Sequence, residues 1–314
     1  MTNKLLIVIA GPTAVGKTSL CVRLAKVLQT DVVSADSRQL YRELNIGTAK
    51  PTAAEMQGVR HHFVDSHSIM NPVSAGQYER EVLAVLDDLF QKKDVVILSG
   101  GTGLYINAVC FGLDDVPQAD PALRAELMNR LETEGLEPLQ QQLRLLDPTY
   151  AETADLQNSQ RVIRALEVTL SSGQPYSSFR KQEVAGPSSP RPFQMIFIAL
   201  DRPRAELYDR IDRRMDAMLA SGLIEEARSL LPYRQFTALQ TVGYKEVFGY
   251  LDGEYDMTEL VRLLKRNSRR YAKRQLTWFR NQGNYQWFGA EKEEEILSFA
   301  NEKCKISNQW CTKD

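Results

Sequence analysis

Short apolar runs alternate with longer amphipathic runs in the first third of the chain. The runs Lys4–Ala10, Asp31–Ala35 and Asp94–Leu98 are dominated by aliphatic and β-branched residues, a pattern typical of strands buried on both faces of a parallel sheet. The stretches Thr18–Leu28 and Ser74–Lys93 repeat their apolar residues with helical spacing. Strands that alternate with helices in this way predict an α/β domain with a parallel sheet.

The strand pattern stops after this region and is replaced by helical segments bounded on both sides by proline- and glycine-rich stretches. A further apolar run, Gln194–Leu200, then restores the strand pattern. We therefore predict a discontinuous core domain, residues 1–112 and 192–314, interrupted by a helical insertion domain at residues 113–191.

The turn between the first predicted strand and the first predicted helix has the spacing G-x-x-x-x-G-K-[ST]. Its residues are Gly11, Pro12, Thr13, Ala14, Val15, Gly16, Lys17 and Thr18. Glycines let the backbone curl so that N–H groups point at a phosphate, while Lys17 adds a point charge and Thr18 places a hydroxyl on Mg²⁺. A glycine-rich turn without a ligand is the simpler alternative. The complete motif between a strand and a helix favours a P-loop NTPase-like core, without identifying the phosphate.

Two more polar turns follow predicted strands, at the edge where open α/β sheets bind ligands. Asp36 follows the second strand, where an isolated aspartate would usually serve as a cap or turn residue. Thr102 lies in a glycine-rich turn after the third strand, and that turn could be purely structural. Many P-loop NTPases carry an aspartate there to hold Mg²⁺ for hydrolysis, whereas this chain has Ser99. The difference disfavours a kinase or an ATPase.

The composition is that of an ordinary globular protein, with 43% hydrophobic and 25% charged residues and no indication of a membrane span. The four cysteines are scattered and include no C-x-x-C pair, so we expect reduced thiols and no zinc finger. No signal region is evident at the N-terminus. We expect a monomer located in the cytoplasm.

The net charge of −1 hides a strongly basic stretch. The run Leu260–Arg280 contains eight lysine or arginine residues and no aspartate or glutamate. Like charges on one helix repel each other, which favours a nucleic-acid phosphate backbone as the partner of this helix. Arg161 and Arg164, one turn apart in the insertion, form a second candidate, although solvated arginines are the simpler interpretation there.

The predicted helix after Gln194–Leu200 is also rich in arginine. Arg210 and Arg214 could reach a diphosphate through bidentate contacts. They could equally pair with aspartates on the same helix, and we favour that interpretation for Arg213.

Taken together, seven segments resemble the motifs of the tRNA dimethylallyltransferases. They are Gly11–Thr18, Asp36–Tyr41, Asn45–Pro51, Gly100–Tyr105, Gln160–Glu167, Val242–Glu246 and Ala272–Trp278. The resemblance covers nearly the whole chain to about Phe288. The C-terminal zinc finger of the eukaryotic relatives is missing, so the resemblance implies a bacterial-type enzyme.

The resemblance implies that the dimethylallyl group of dimethylallyl diphosphate passes to N6 of the adenosine on the 3′ side of the anticodon in tRNA, with release of diphosphate and with Mg²⁺ as cofactor. It makes Asp36 the base that accepts the N6 proton, and it assigns Thr13, Lys17 and Arg214 to catalysis at the diphosphate, with Arg210 as a further contact. The residues that the resemblance and the basic helix assign to tRNA are Asp36, Ser37, Arg38, Gln39, Thr102, Gln160, Arg161, Val162, Ile163, Arg164, Arg269 and Lys273.

Two alternatives stay open beside the kinase or ATPase. An enzyme that prenylates free adenine nucleotides would need neither the basic helix nor the helical insertion. A non-catalytic tRNA-binding protein would leave Asp36 and the phosphate loop unexplained.

Overall fold

A computed structural model describes residues 4–114, 116–117, 120–180, 191–282 and 284–309. In this part of the chain, six strands form one sheet in the order β3-β2-β4-β1-β5-β6, with every neighbouring pair parallel. The strands are β1 (Leu5–Ala10), β2 (Val32–Ser34), β3 (His61–His62), β4 (Val95–Gly100), β5 (Gln194–Asp201) and β6 (Gln286–Gly289).

The helices fall into three groups along the chain. The first group is α1 (Lys17–Val27), α2 (Ala53–Met56), α3 (Ala75–Phe90) and α4 (Gly103–Phe111). The second is α5 (Pro121–Glu134), α6 (Glu137–Leu146), α7 (Pro148–Thr153), α8 (Ser159–Ser172) and α9 (Tyr176–Phe179). The third is α10 (Arg204–Ala220), α11 (Leu223–Ser229), α12 (Tyr244–Leu251), α13 (Met257–Asn281) and α14 (Glu293–Gln309). None of the helices in the described residues has an apolar stretch long enough to cross a lipid bilayer.

The chain divides into two compact units, one formed by residues 1–110 with 190–314 and the other by residues 111–189. The first unit is organised around β1, which is buried at every position and pairs with β4 on one side and β5 on the other. A central parallel strand is covered on both faces, which is why its sequence is continuously apolar and does not alternate. The α/β class with a parallel sheet is confirmed.

The second unit is helical and has an apolar core of its own. Leu127 of α5, Leu143 of α6 and Leu166 of α8 are fully buried in one cluster. The Asn158 side chain caps α8 by accepting a hydrogen bond from the backbone N–H of Arg161. The unit thus has the local signals and the core of a small helical domain.

The stretch from residue 41 to residue 71 has an irregular, turn-rich sequence that predicts a long loop, yet it contains regular structure at the sheet edge. There β3 pairs with β2, and the helix α2 precedes it. His62 Nε2 lies 2.8 Å from Asp31 Oδ2, and Lys93 also pairs with Asp31 at 3.1 Å. The prediction was wrong for β3 because a two-residue edge strand has too little periodicity to be recognised.

Candidate active site

The phosphate loop follows the central strand β1 and leads directly into α1. Gly16, the residue before α1, has a φ of 116°, a backbone angle that side-chain-bearing residues rarely adopt. The side chain of Val15, within the loop, is fully buried. This geometry places the loop and the positive end of α1 at the carboxyl edge of the sheet, where the sequence predicted a phosphate.

Lys17 is held inside the curve of the loop. Its Nζ donates hydrogen bonds to the carbonyl oxygens of Gly11 (2.9 Å) and Pro12 (2.8 Å). The pKa of Lys17 is lowered to about 8, mainly by burial; the charge of Asp36 opposes this effect, and the charge of Arg214 adds to it. A bound anion would strongly stabilise the charged form of such a poorly solvated lysine, because the anion replaces the missing water.

Three arginines donate to three consecutive residues of the phosphate loop. The bonds run from Arg202 Nε to Val15 O (2.8 Å), from Arg210 Nε to Ala14 O (2.8 Å) and from Arg214 Nη1 to Thr13 Oγ1 (3.5 Å). Burial lowers the pKa of Arg214, and the charge of Asp36 opposes this effect. Arg213 instead pairs with Asp209 on the same helix, which confirms the pairing we favoured.

Arg202 was missed by the sequence reasoning, although it stands directly after Asp201, the last residue of β5. Its position at the carboxyl end of a strand was the available signal.

Asp36 lies in the turn after β2, and only one of its two carboxylate oxygens is hydrogen-bonded within the described part of the chain. Its Oδ1 accepts from the backbone N–H groups of Arg38 (2.9 Å) and Gln39 (3.3 Å). Its Oδ2 makes no hydrogen bond to any residue that the structure describes. The Asp36 charge raises the pKa of both Lys17 and Arg214, so the three groups lie within electrostatic reach of one another. The turn therefore fixes the carboxylate while keeping one oxygen able to accept a proton.

The glycine-rich turn after β4 lies directly against the Asp36 turn. Thr102 Oγ1 accepts from the backbone N–H of Ser37 (3.0 Å) and donates to Ser37 Oγ (3.3 Å). A Cβ on Gly100 would lie 2.1 Å from the carbonyl oxygen of Ala35, so only glycine allows the two turns to approach this closely. The structure thus brings Thr102 and Ser37 together beside Asp36.

Helix α13 fastens these turns through Gln275, whose side chain is buried. Gln275 Oε1 accepts from the backbone N–H of Thr13 (2.9 Å), and its Nε2 donates to Gly101 O (3.0 Å). One amide therefore links the phosphate loop to the glycine-rich turn. Sequence reasoning gave Gln275 no role, because a buried polar side chain within a basic helix shows no distinctive spacing.

The predicted tRNA residues of α8 separate into exposed and buried positions. Gln160 and Arg161 are exposed, whereas Val162 and Ile163 are fully buried in the core of the helical unit. The side chains of Val162 and Ile163 therefore pack into this core, and a tRNA contact at these two positions stays a prediction.

Arg164 has a local partner inside the helical unit. Its Nη1 lies 3.5 Å from Glu167 Oε2, and Arg124 Nη1 lies 3.1 Å from the same oxygen. The Glu167 side chain is only 1% exposed, and a buried carboxylate requires such cations. The Arg164 charge therefore serves the fold of the helical unit, which leaves Arg161 as the exposed arginine of this motif.

Several of the positive charges on the basic helix α13 have an acidic partner. Four of its cations are paired: Arg262 with Glu259, Lys265 with Asp216, Arg269 with Asp212 and Arg280 with Asp201. Arg270, Lys273 and Arg274 are exposed and form no ion pair within the described part of the chain. We refer to these three as the free basic face. Lys273 belongs to it, whereas Arg269 is paired with Asp212 of α10, and the predicted tRNA contacts of Arg269 and Lys273 stay predictions.

A sequence profile of the IPP transferase family matches residues 39–282. The chain belongs to the IPP transferase family. The tRNA dimethylallyltransferase of Cytophaga hutchinsonii is 54% identical over 301 residues, covering 96% of this chain and 98% of that relative. The predicted family is thereby confirmed. The profile match begins at residue 39, after the phosphate loop and Asp36, so the profile itself does not bear on those residues.

Solved structures of IPP transferases have the same fold. The tRNA isopentenylpyrophosphate transferase of Bacillus halodurans has a TM-score of 0.72 and 40% identity, covering 98% of this chain and 99% of its own. A eukaryotic dimethylallyltransferase whose structures show it acting on tRNA has a TM-score of 0.79 and 26% identity, covering 97% and 80%. The P-loop-like core predicted from the sequence is therefore the core of this family.

Proposed function

We propose that this IPP transferase transfers the dimethylallyl group of dimethylallyl diphosphate to tRNA, at N6 of the adenosine on the 3′ side of the anticodon. The observation that carries the proposal is the position of Lys17 and Arg214 on the phosphate loop, with Asp36 held in the turn after β2 at the same edge of the sheet. Two cations and a phosphate loop suit a diphosphate, and a carboxylate suits an acceptor that must lose a proton. The names of the relatives support tRNA as the acceptor.

The reaction requires one bond to form, one to break and one proton to move. The N6 lone pair attacks the allylic carbon, and the carbon–oxygen bond to the diphosphate breaks. The electron pair of that bond leaves with the diphosphate, and Asp36 accepts the proton from N6. Lys17, Arg214 and the Thr13 hydroxyl stabilise the charge that grows on the leaving group. Arg210 and the backbone N–H groups of the loop hold the same diphosphate.

Magnesium is proposed as the cofactor on the basis of the donors that the chain offers. In the described residues, no three His, Cys, Asp or Glu side chains form a metal-binding cluster. Thr18 is exposed in the first turn of α1. Mg²⁺ is often held by one or two protein oxygens together with substrate phosphates. The Thr18 hydroxyl fits that arrangement. Bound to Thr18 and to the diphosphate, Mg²⁺ would add positive charge at the leaving group.

An adenine stacked in an anticodon loop does not present its N6 to a buried carbon, so we propose that the base is flipped out of the stack. Loop bases unstack at low cost, which favours an anticodon loop over duplex RNA. Ser37, Arg38, Gln39 and Thr102 lie beside Asp36 and are proposed to contact the flipped nucleotide.

The most direct test of the proposed function is mass spectrometry of nucleosides from unmodified tRNA incubated with the protein, Mg²⁺ and dimethylallyl diphosphate. We expect a new N6-dimethylallyl adenosine, and mass spectrometry of ribonuclease fragments of the same tRNA should place it next to the anticodon. Free AMP in place of tRNA serves as the comparison, and equal modification of AMP would favour the nucleotide-prenylating alternative. ATP hydrolysis without any prenylated nucleoside would contradict the proposal.

The free basic face is expected to bind tRNA phosphates. Replacing Arg270 and Lys273 together with alanine should weaken tRNA binding and reduce the slope of log K against log salt by about one unit per lost phosphate contact. The KM for dimethylallyl diphosphate should not change. Filter-binding assays with tritium-labelled tRNA, from low to moderate salt, measure the tRNA affinity and its slope, and steady-state kinetics measure the KM for dimethylallyl diphosphate.

The matched control for this experiment is the double variant Arg213→Ala and Arg262→Ala. Both arginines are exposed but pair with acidic neighbours on their own helices, so their removal should barely change the slope. A slope that is the same for both double variants would show that Arg270 and Lys273 face only solvent.

A further inference from the structure

Glu226 of α11 is a carboxylate outside the described site whose two oxygens are both fully used. Its Oε2 accepts from the backbone N–H groups of Asn45 (3.2 Å) and Ile46 (2.8 Å). Its Oε1 accepts from the backbone N–H of Gly47 (2.9 Å) and from the Tyr244 hydroxyl (2.6 Å). Three successive N–H groups directed at one carboxylate form a strong, charge-assisted anchor for this part of the backbone.

The anchored residues begin a tight turn that ends at the active site. A single turn of 3-10 helix covers Ile46–Thr48, and Ala49 closes it in the left-handed conformation, with φ of 48°. The Ala49 carbonyl oxygen accepts from Arg214 Nη2 (3.2 Å) and from Gln39 Nε2 (3.3 Å). The carbonyl that orients Arg214 is therefore positioned by the turn that Glu226 holds.

Tyr244 closes the other side of the turn. Its side chain is fully buried, and a Cβ on Gly47 would lie 2.5 Å from the Tyr244 ring. The start of α12 is fixed by Glu246, whose Oε2 accepts from the Gly243 N–H (2.7 Å) and whose Oε1 accepts from Asn267 of α13 (2.7 Å). No role had been assigned to the segments Asn45–Pro51 and Val242–Glu246. They pack against each other and together hold the turn that carries Ala49.

We propose that Glu226 is a positioning residue for the transfer reaction. By holding the turn at residues 45–49, it keeps the Ala49 carbonyl where that carbonyl directs Arg214 toward the phosphate loop. The inference rests on the proposed function for its meaning in catalysis. The predicted effect on anion binding does not depend on tRNA.

The first test measures pyrophosphate affinity by titration calorimetry for Glu226→Ala, Glu226→Gln and the control Glu225→Ala, with the melting temperature of each variant. Glu225 is the exposed neighbour on the same helix, so its loss removes an equal charge. We expect affinity to fall about tenfold for Glu226→Ala, the cost of a misaligned charged hydrogen bond. Glutamine should restore part of the affinity, because one acceptor oxygen remains, and the control should match the wild type.

The second test is a double-mutant cycle with Arg214→Ala. If Glu226 acts through Arg214, then Glu226→Ala should lower pyrophosphate affinity and kcat very little further in the Arg214→Ala background. Losses that multiply in full would overturn the proposal, as would a Glu226→Ala protein that is less stable but binds pyrophosphate normally. Should Glu226→Ala fail to fold, Tyr244→Phe, which removes a single hydrogen bond to Glu226, decides by the same cycle.

These results separate the inference from the function on which it rests. A wild-type protein that binds pyrophosphate but forms no prenylated tRNA would refute the proposed function, while the affinities of the Glu226 variants would still test the positioning. Normal prenylation by the wild type together with unchanged affinity and kcat in Glu226→Ala would refute the inference alone.

Discussion

Replacing Asp36 with asparagine is expected to lower the rate of dimethylallyl transfer by about 10²- to 10⁴-fold, the usual contribution of a general base. Asparagine keeps an oxygen that accepts from the N–H groups of Arg38 and Gln39, so the turn should survive. It cannot accept the proton from N6. Single-turnover rates at saturating tRNA and dimethylallyl diphosphate measure the chemical step without product release.

Binding measurements on the same Asp36→Asn protein provide the control. The affinities for tRNA and for pyrophosphate should stay close to those of the wild type, since the turn is intact. Asp36→Ala should be at least as slow and should also bind tRNA less well, because it removes the cap of the turn. A near-normal single-turnover rate for Asp36→Asn would exclude Asp36 as the base.

Replacing Lys17 with alanine should reduce kcat/KM for dimethylallyl diphosphate by about 10²- to 10³-fold, similar to the loss of one preorganised donor at a developing charge. Part of the loss should appear in donor affinity and part in kcat, because the leaving group carries more charge in the transition state than in the bound substrate. Steady-state kinetics at saturating tRNA separate the two. An unchanged kcat would confine Lys17 to ground-state binding.

The pH dependence of pyrophosphate binding gives an independent check on Lys17. Burial holds the pKa of Lys17 at about 8 in the free protein, so the lysine loses its charge as the pH rises through 8. Pyrophosphate affinity should therefore be full below this pH and decline above it, with proton uptake on binding in the alkaline range. Lys17→Ala should lack this decline. If the variant shows the same decline as the wild type, another group is responsible.

The sheet and its functional edge could be predicted from the sequence because each depends on local signals. Residues of β1, β2, β4 and β5 form continuous apolar runs, and Asp36 and Thr102 follow their strands directly. Parallel strands place those turns at one edge whatever the rest of the chain does. That is why local sequence was sufficient to bring the phosphate loop, Asp36 and Thr102 together.

The charge balance of α13 could not be predicted in the same way. The acids that neutralise Lys265 and Arg269 are Asp216 and Asp212, which lie on α10, far away in sequence. Counting charges within one helix cannot detect a partner on another helix. The same limit hid Gln275, whose hydrogen bonds reach Thr13 and Gly101.

The two neighbours of β1 have a consequence for how the protein is made on the ribosome. Leu5 pairs with Val95 on one side and with Gln194 on the other. At about 5 to 20 residues per second, the N-terminal strand is synthesised roughly 10 to 40 s before its second partner emerges. During that time one edge of a wholly apolar strand lacks its partner, which invites aggregation. The nascent chain should therefore depend on chaperones until residue 201 has left the exit tunnel.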